Sequence, residues 1–133
     1  MIDLQETARI KEAIEKNPAD FEKTIEGTDL AICITNEDQN FVAVNDNYLK
    51  LYEFEREDLI GQNFLKVVPQ ETQDELSDLH EKFIEIQIEM MRDWEVLTKS
   101  GKRMRISVDA GFSDKINDEP HKITFVNFEE YVS

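Results

Sequence analysis

Cysteine, histidine and basic side chains are all scarce in this chain of 133 residues. The single cysteine, Cys33, excludes an internal disulfide and favours an intracellular, cytoplasmic setting. With only two histidines, His80 and His121, a zinc site built from cysteine and histidine is disfavoured. Lysine and arginine number 15 against 30 aspartates and glutamates, which gives a net charge of −15. This charge argues against nucleic acid or anionic membranes as partners, because both select a basic surface.

Long apolar runs are also absent. No stretch approaches the roughly 20 apolar residues that span a bilayer. Residues 1–16 lack both the cationic start and the apolar core of a secretory signal. The hydrophobic fraction of 40% and the length of 133 residues suit one domain with a real core.

Hydrophobic periodicity divides the chain into helices and strands. Helices are predicted at residues 2–16, 19–25, 48–52, 56–61 and 70–89, with Asn45 capping the third of them. Strands are predicted at residues 30–35, 41–44, 94–98, 103–110 and 123–128. Two strands, then helices, then three strands predict an α+β domain. We expect one five-stranded antiparallel sheet with helices on one face and an N-terminal amphipathic helix.

An ordered set of short motifs runs through most of the chain. Leu30-Ala-Ile-Cys-Ile-Thr-Asn36 is followed by Phe41-Val-Ala-Val-Asn45, Tyr48-Leu-Lys-Leu-Tyr52 and Arg56-Glu-Asp-Leu-Ile-Gly61. Trp94-Glu-Val-Leu-Thr-Lys-Ser-Gly101 and two long strands complete the set. In this order the motifs resemble the PAS domain family. The resemblance predicts a PAS domain at residues 28–130, preceded by a helical extension at 1–27 that serves dimerisation or caps the sheet.

The resemblance implies a sheet wrapped by helices around a small interior cavity. Family members sense signals through a bound cofactor or metabolite, or serve as dimerisation modules. We therefore expect a signalling domain that binds a small ligand or a partner protein and transmits the change through sheet and helix packing. Catalysis is not expected, since the sequence has no glycine-rich loop and no His-x-x-x-His pattern. Because Phe128-Glu-Glu130 stands where the family often has Asp-Ile-Thr, an excised sensor or a partner-binding protein is expected.

The apolar side of each predicted element nominates residues for the cavity. The nominated residues are Ile32, Ile34, Val44, Tyr48, Leu51, Phe64, Phe83, Trp94, Ile106 and Phe125. A fully packed interior would instead favour a dimerisation module without ligand.

Haem is an alternative that depends on His80. Oxygen-sensing haem members of the family carry a similar His-x-x-aromatic-Ile stretch, in which the histidine is the proximal iron ligand. Met90 lies where a distal thioether ligand could originate. Many members without haem have the same stretch, and the segment from His80 to Trp94 is short for a haem-sized pocket. A hydrogen-bonding role for His80 is therefore favoured, with the pair His80 and Met90 as the haem alternative.

Flavin is disfavoured, because Gly61-Gln-Asn-Phe-Leu65 lacks the reactive cysteine of the photosensory members. Cys33 lies in the first strand and is interpreted as a small buried residue. The main basic cluster, Lys102, Arg103 and Arg105, is expected on the exposed face of the sheet.

The first helix predicts self-association. Leu4, Ala8, Ile10 and Ile14 form an apolar stripe with nothing on their own helix to cover it. Burying each large aliphatic side chain is worth about 1.5–3 kcal/mol, which favours a homodimer through this stripe. Charge repulsion between two acidic chains opposes the dimer, so we expect it to tighten as salt rises.

Overall fold

The computed structural model describes residues 2–88 and 93–133. The α-helices are α1 (Leu4–Lys16), α2 (Phe21–Thr24), α3 (Asp46–Tyr52), α4 (Arg56–Leu59) and α5 (Gln73–Ile86). Short 3-10 turns cover Pro18–Asp20, Phe64–Val67 and Gln70–Thr72. The strands are β1 (Ala31–Asn36), β2 (Phe41–Val44), β3 (Asp93–Leu97), β4 (Arg103–Ser113) and β5 (His121–Val132).

The five strands form one sheet in the order β2-β1-β5-β4-β3, and each neighbouring pair is antiparallel. The predicted α+β fold is therefore confirmed, including the N-terminal helix. Strand β5 continues to Val132, beyond its predicted end, because it pairs with β4 down to Arg103. Backbone hydrogen bonds to β4 stabilise this polar end of β5. Its sequence has no regular apolar alternation, so the pattern did not predict it as strand.

Helix α1 packs against the face of the sheet that we call the outer face. The Asp3 carboxylate caps the helix by accepting hydrogen bonds from the backbone N–H groups of Gln5 and Glu6. Ile10 and Ile14 are both 0% exposed, and Lys11 forms a 3.0 Å ion pair with Asp109 of β4. A side chain at Gly111 would approach the aliphatic stem of Lys11 to about 3.0 Å, so glycine leaves room for this contact.

The two faces of the sheet bury different residues. Strand side chains alternate between faces, and in β1 the small residues Ala31 and Cys33 join the core beneath α3 and α4, on what we call the inner face. The larger Ile32 and Ile34 point to the outer face and pack with Ile10 and Ile14 of α1. Because both faces are covered, β1 reads as a nearly continuous apolar run rather than as a clean alternation.

Asn45 holds the junction of β2 and α3. Its side chain is fully buried and accepts hydrogen bonds from the backbone N–H groups of Ile32 at 3.0 Å and Tyr48 at 2.9 Å. The same amide donates to the carbonyl oxygens of Ile25 and Leu30. The predicted cap is confirmed, and the amide also ties α2 and β1 to the start of α3.

Candidate functional site

A cavity of about 80 Å³ lies between the inner face of the sheet and helices α3 and α5. Its apolar lining comes from Phe41, Phe64, Val67, Val68, Leu76, Trp94, Val96, Ile106, Val108 and Val126. Its polar lining comes from Cys33, Thr35, Tyr48, Tyr52, His80, Lys122 and Thr124. No carboxylate is among the described residues that line the cavity.

Three polar side chains from different elements meet in one part of this lining, which we call the polar corner. Thr35 of β1 stands directly opposite Lys122 of β5 in the strand ladder. The Thr35 hydroxyl oxygen lies 2.8 Å from Nε2 of His80 on α5. All three side chains are buried, with exposures of 2%, 9% and 2% for Thr35, Lys122 and His80.

His80 is held as a neutral imidazole. Burial is the main cause that lowers its pKa from 6.5 to about 4, and the nearby charge of Lys122 lowers it further. The ring stacks on Phe64 with centroids 5.2 Å apart. Among the described residues, no group forms a hydrogen bond with His80 Nδ1, although this atom is buried. Most buried polar atoms in folded proteins have a partner, so this nitrogen needs an explanation.

Two stacked tyrosines and the cysteine form a second polar group in the lining. The rings of Tyr48 and Tyr52 lie 4.1 Å apart, and Cys33 lines the same cavity. Burial raises the pKa of the Cys33 thiol to about 11 and raises the pKa of both tyrosines. All three groups are therefore neutral at pH 7, and Cys33 is not a reactive thiolate.

The structure brings four of the ten nominated residues to the cavity wall: Tyr48, Phe64, Trp94 and Ile106. Val44 belongs to the same apolar core without lining the cavity, and Leu51 packs against that core while partly exposed. Phe83 is buried beside the polar corner, where the Lys122 ammonium lies 4.9 Å from its ring centroid.

Three nominated residues do not face the cavity, and their assignment is corrected. Ile32, Ile34 and Phe125 lie in the core beneath α1, on the outer face. The prediction assumed that the bulkiest strand residues face the helices that follow β2. In the structure these bulky strand residues pack against α1. The smaller or polar residues that alternate with them face the other side of the sheet and leave the space that forms the cavity.

The residues nominated for haem do not fit that group in this geometry. Nε2 of His80 is engaged by Thr35, and the cavity of about 80 Å³ is far smaller than the roughly 300–1,000 Å³ of ordinary ligand pockets. Met90 lies outside the described residues. His80 is thus a buried hydrogen-bonding residue of the cavity wall.

The apolar stripe of α1 is divided between interior and surface. Ile10 and Ile14 are covered by the sheet of the same chain, so they are not available to a second copy, and this part of the expectation is corrected. Leu4 is 50% exposed, and Ala8 is exposed. Sequence spacing identified the stripe but not the surface that covers it.

The basic cluster on the sheet is paired with carboxylates. Lys102 forms an ion pair with Glu53, Arg103 with Glu71 and Glu95, and Arg105 with Asp93 and Glu130. The pairs are solvent-accessible. Those of Arg103 with Glu95 and of Arg105 with Asp93 and Glu130 join neighbouring strands, so a structural role accounts for these two arginines.

Sequence reasoning missed Thr35, Lys122 and Thr124. Their positions in the sequence could have identified them, because Lys122 and Thr124 alternate with Ile123 and Phe125 in one strand. A lysine inside a strand that is buried on both faces marks a polar interior. The sequence pattern suggested burial on only one face, so these residues were not considered.

Comparison with known proteins decides the family. A family profile described as PAS fold matches residues 19–126. The chain belongs to the PAS family. PAS domains are typical sensory domains of signalling proteins. Comparison with curated protein sequences finds no match.

Solved PAS structures share this fold at low sequence identity. A PAS domain from Desulfitobacterium hafniense is 15% identical with a TM-score of 0.71, covering 79% of this chain and 97% of its own. A PAS domain of a two-component sensor histidine kinase is 18% identical with a TM-score of 0.67, covering 89% and 99% respectively. The Drosophila melanogaster Cycle PAS-B domain with bound ethylene glycol is 11% identical with a TM-score of 0.64, covering 74% of this chain and 99% of its own. In the described part of this PAS domain, no helix has the length and apolar character needed to cross a membrane.

Proposed function

We propose that this PAS domain is a sensor that binds a small ligand in the cavity between the sheet and helices α3 and α5. The observation that carries the proposal is the buried, unpartnered Nδ1 of His80 in the wall of that cavity, among the described residues. A domain whose only task is packing gains nothing from a buried polar atom without a partner, since such an atom costs about 1–3 kcal/mol. A ligand that bonds to this atom would recover that cost.

The cavity volume limits the ligand to a few atoms. An engineered cavity of about 150 Å³ binds benzene, which has six non-hydrogen atoms. The cavity of about 80 Å³ is roughly half as large. A ligand of about three to five non-hydrogen atoms is the corresponding size. The ethylene glycol bound in the structurally similar Cycle PAS-B domain is a molecule of this size.

The strands offer a short route for a signal from the cavity to α1. Thr35 faces the cavity, and its chain neighbour Ile34 packs beneath α1. Lys122 and Ile123 repeat this arrangement in β5. A ligand that shifts β1 or β5 would therefore change the packing of α1. Helix α5 contacts β1 through the His80–Thr35 bond, and the loop after β1 through bonds between Gln39 and Ser77.

An NMR screen of small molecules tests the proposal. Compounds of up to about six non-hydrogen atoms, the size of benzene, are added to the labelled domain. We expect at least one to shift the amide resonances of cavity residues saturably. A Val108→Phe variant fills the cavity and should abolish those shifts, whereas Leu4→Phe adds the same ring on the surface of α1 and should retain them. Spectra of both variants report folding before compounds are added. The absence of any saturable cavity shift, or shifts that persist in folded Val108→Phe, would overturn the proposal.

Self-association through α1 is a second candidate function. It is favoured by Leu4, a large aliphatic residue that is 50% exposed at the start of the helix beside the exposed Ala8. Light scattering of wild type and Leu4→Gln at two salt concentrations tests it. A dimer that tightens with salt in wild type and weakens in Leu4→Gln is expected. A monomer for both proteins under all conditions would contradict it.

A further inference from the structure

Among the described residues, the imidazole of His80 has a hydrogen-bond partner for only one of its two nitrogens. Nε2 lies 2.8 Å from the Thr35 hydroxyl oxygen. Nδ1 is the one buried polar side-chain atom without a partner in the part of the chain that the structure describes. His80 belongs to the cavity wall and is 2% exposed, so a group that pairs with Nδ1 must lie inside the protein.

The bond to Thr35 leaves both tautomers of His80 available. A threonine hydroxyl can donate to Nε2 or accept from it. If Thr35 donates, the ring proton lies on Nδ1, which then needs an acceptor. If Thr35 accepts, Nδ1 carries a lone pair and needs a donor. A hydroxyl group meets either need with a single atom, whereas a carbonyl oxygen only accepts and an ammonium only donates.

The surroundings of His80 favour a neutral ligand. Burial is the main cause that lowers the pKa of His80 to about 4, so the ring is uncharged at pH 7. Lys122, the cationic residue of the described lining, is already engaged within the protein, and its ammonium lies 4.9 Å from the Phe83 ring centroid. A carboxylate in the cavity would have to displace these interactions, since a buried charge without a partner is strongly disfavoured. A neutral hydroxyl leaves them intact.

The rest of the lining is mainly hydrocarbon. Phe64 stacks on the His80 ring with centroids 5.2 Å apart, and Leu76, Ile106 and Val108 extend the apolar wall. These side chains offer contact to an alkyl chain. At about 80 Å³ the cavity is roughly half the size of one that holds the six carbons of benzene. One hydroxyl with a chain of about two to four carbons is the matching size.

We propose that the ligand is a short-chain aliphatic alcohol, whose hydroxyl pairs with Nδ1 of His80 and whose alkyl chain lies against the apolar wall of the cavity. The proposal rests on the proposed sensor function and specifies its ligand class. Each methylene group buried in the cavity should tighten binding about fourfold. Affinity should therefore rise with chain length until the alcohol outgrows the cavity.

Straight-chain alcohols titrated into the full chain, and followed by amide chemical shifts, test the size and the location of the site. We expect affinity to increase about fourfold per carbon from ethanol to 1-butanol and to fall at 1-hexanol. Leu76→Ala enlarges the cavity and should move the tightest binding to a longer alcohol. Leu4→Ala makes the same truncation at the exposed start of α1 and should leave the preference at 1-butanol. Affinity that keeps rising through 1-hexanol in wild type, or an unchanged preference in folded Leu76→Ala, would overturn the proposal.

1-Propanol and 1-chloropropane isolate the hydroxyl, because their chains are equally long and the chloride is a poor hydrogen-bonding group. His80→Phe keeps a ring against Phe64 and removes Nδ1, so the hydroxyl of a bound alcohol loses its partner. This variant should weaken 1-propanol about fivefold or more and leave 1-chloropropane nearly unchanged. An equal loss for both probes, or no loss for the alcohol, would contradict the pairing of the hydroxyl with His80.

The ring-nitrogen resonances of His80 supply a readout that needs no variant. Saturating 1-propanol should shift the Nδ1 resonance, whereas 1-chloropropane at the same occupancy should shift it far less. An equal response to both probes would overturn the alcohol assignment. If the alcohols do not bind but another compound of the wider screen does, the ligand class is wrong and the sensor function stands. If no compound reaches the cavity, the sensor function itself fails.

Discussion

Acidification should destabilise this domain through His80. The folded protein lowers the pKa of His80 from 6.5 to about 4, so the unfolded chain takes up the proton first. The stability contributed by the neutral imidazole is therefore complete above pH 6.5 and is lost as the pH falls towards 4. Between pH 7 and pH 5 the two pKa values correspond to a loss of about 2 kcal/mol in the free energy of unfolding.

Between pH 7 and pH 5 the effect of protonating His80 on stability is separated from the effect of protonating the many carboxylates. Ion pairs and hydrogen bonds lower the pKa of Glu6 and Glu53 to about 2, so their stabilisation is lost only below their ordinary value of 4.5. The other described titratable groups of the cavity wall are Lys122, Cys33, Tyr48 and Tyr52. The cysteine and both tyrosines stay protonated throughout the interval, because burial raises their pKa values.

Urea unfolding followed by Trp94 fluorescence measures this effect at the two pH values. His80→Phe keeps an aromatic ring against Phe64 and cannot take up a proton. Its loss of the bond to Thr35 lowers stability equally at both pH values and cancels in the comparison. We expect wild type to lose about 2 kcal/mol more than His80→Phe between pH 7 and pH 5. Equal losses in the two proteins would refute the conclusion that the fold holds His80 neutral.

Further substitutions test the packing around the site. Asn45→Ala removes four buried hydrogen bonds and should lower the free energy of unfolding by about 4 kcal/mol, measured by urea unfolding; a loss below about 1 kcal/mol would contradict the central role of this amide. Ile14→Ala should cost about 2–5 kcal/mol in the same assay because Ile14 is 0% exposed, and Leu4→Ala should cost far less; similar costs would mean that α1 does not pack on the sheet as described. Arg105→Ala should change the free energy of unfolding by no more than about 1 kcal/mol, since the ion pairs of Arg105 are solvent-accessible. A larger loss would show that these pairs stabilise the sheet more than exposed ion pairs ordinarily do.

The sequence identified the elements better than it identified their faces. The cap formed by Asn45 and the succession of strands along the chain follow from local sequence patterns, and the fold agrees with these local preferences. The direction of each β1 side chain depends on α1, which is distant from the last two strands in sequence and covers the outer face. No local pattern can show that Ile34 faces α1 and Thr35 faces the cavity when both faces are buried.

The candidate site was only partly visible in the sequence for the same reason. His80 was recognised as chemically important, but its partner Thr35 lies 45 residues away in the chain. Lys122 was overlooked because a lysine in a strand is ordinarily exposed. The pairing of Thr35 with Lys122 across β1 and β5 is a property of the strand register, which the alternation alone does not determine.

Intermolecular NOEs between a bound small molecule and the methyl groups of the domain test the central claim most directly. The sheet separates two sets of methyl groups, and adjacent residues of one strand belong to opposite sets. We expect NOEs from a compound that binds in the screen to Thr35 and Ile106, which line the cavity. We expect none to Ile34 and Ile123, which lie in the core beneath α1. NOEs to the outer-face methyls, or only to exposed residues such as Leu4, would contradict the assignment of the cavity as the ligand site.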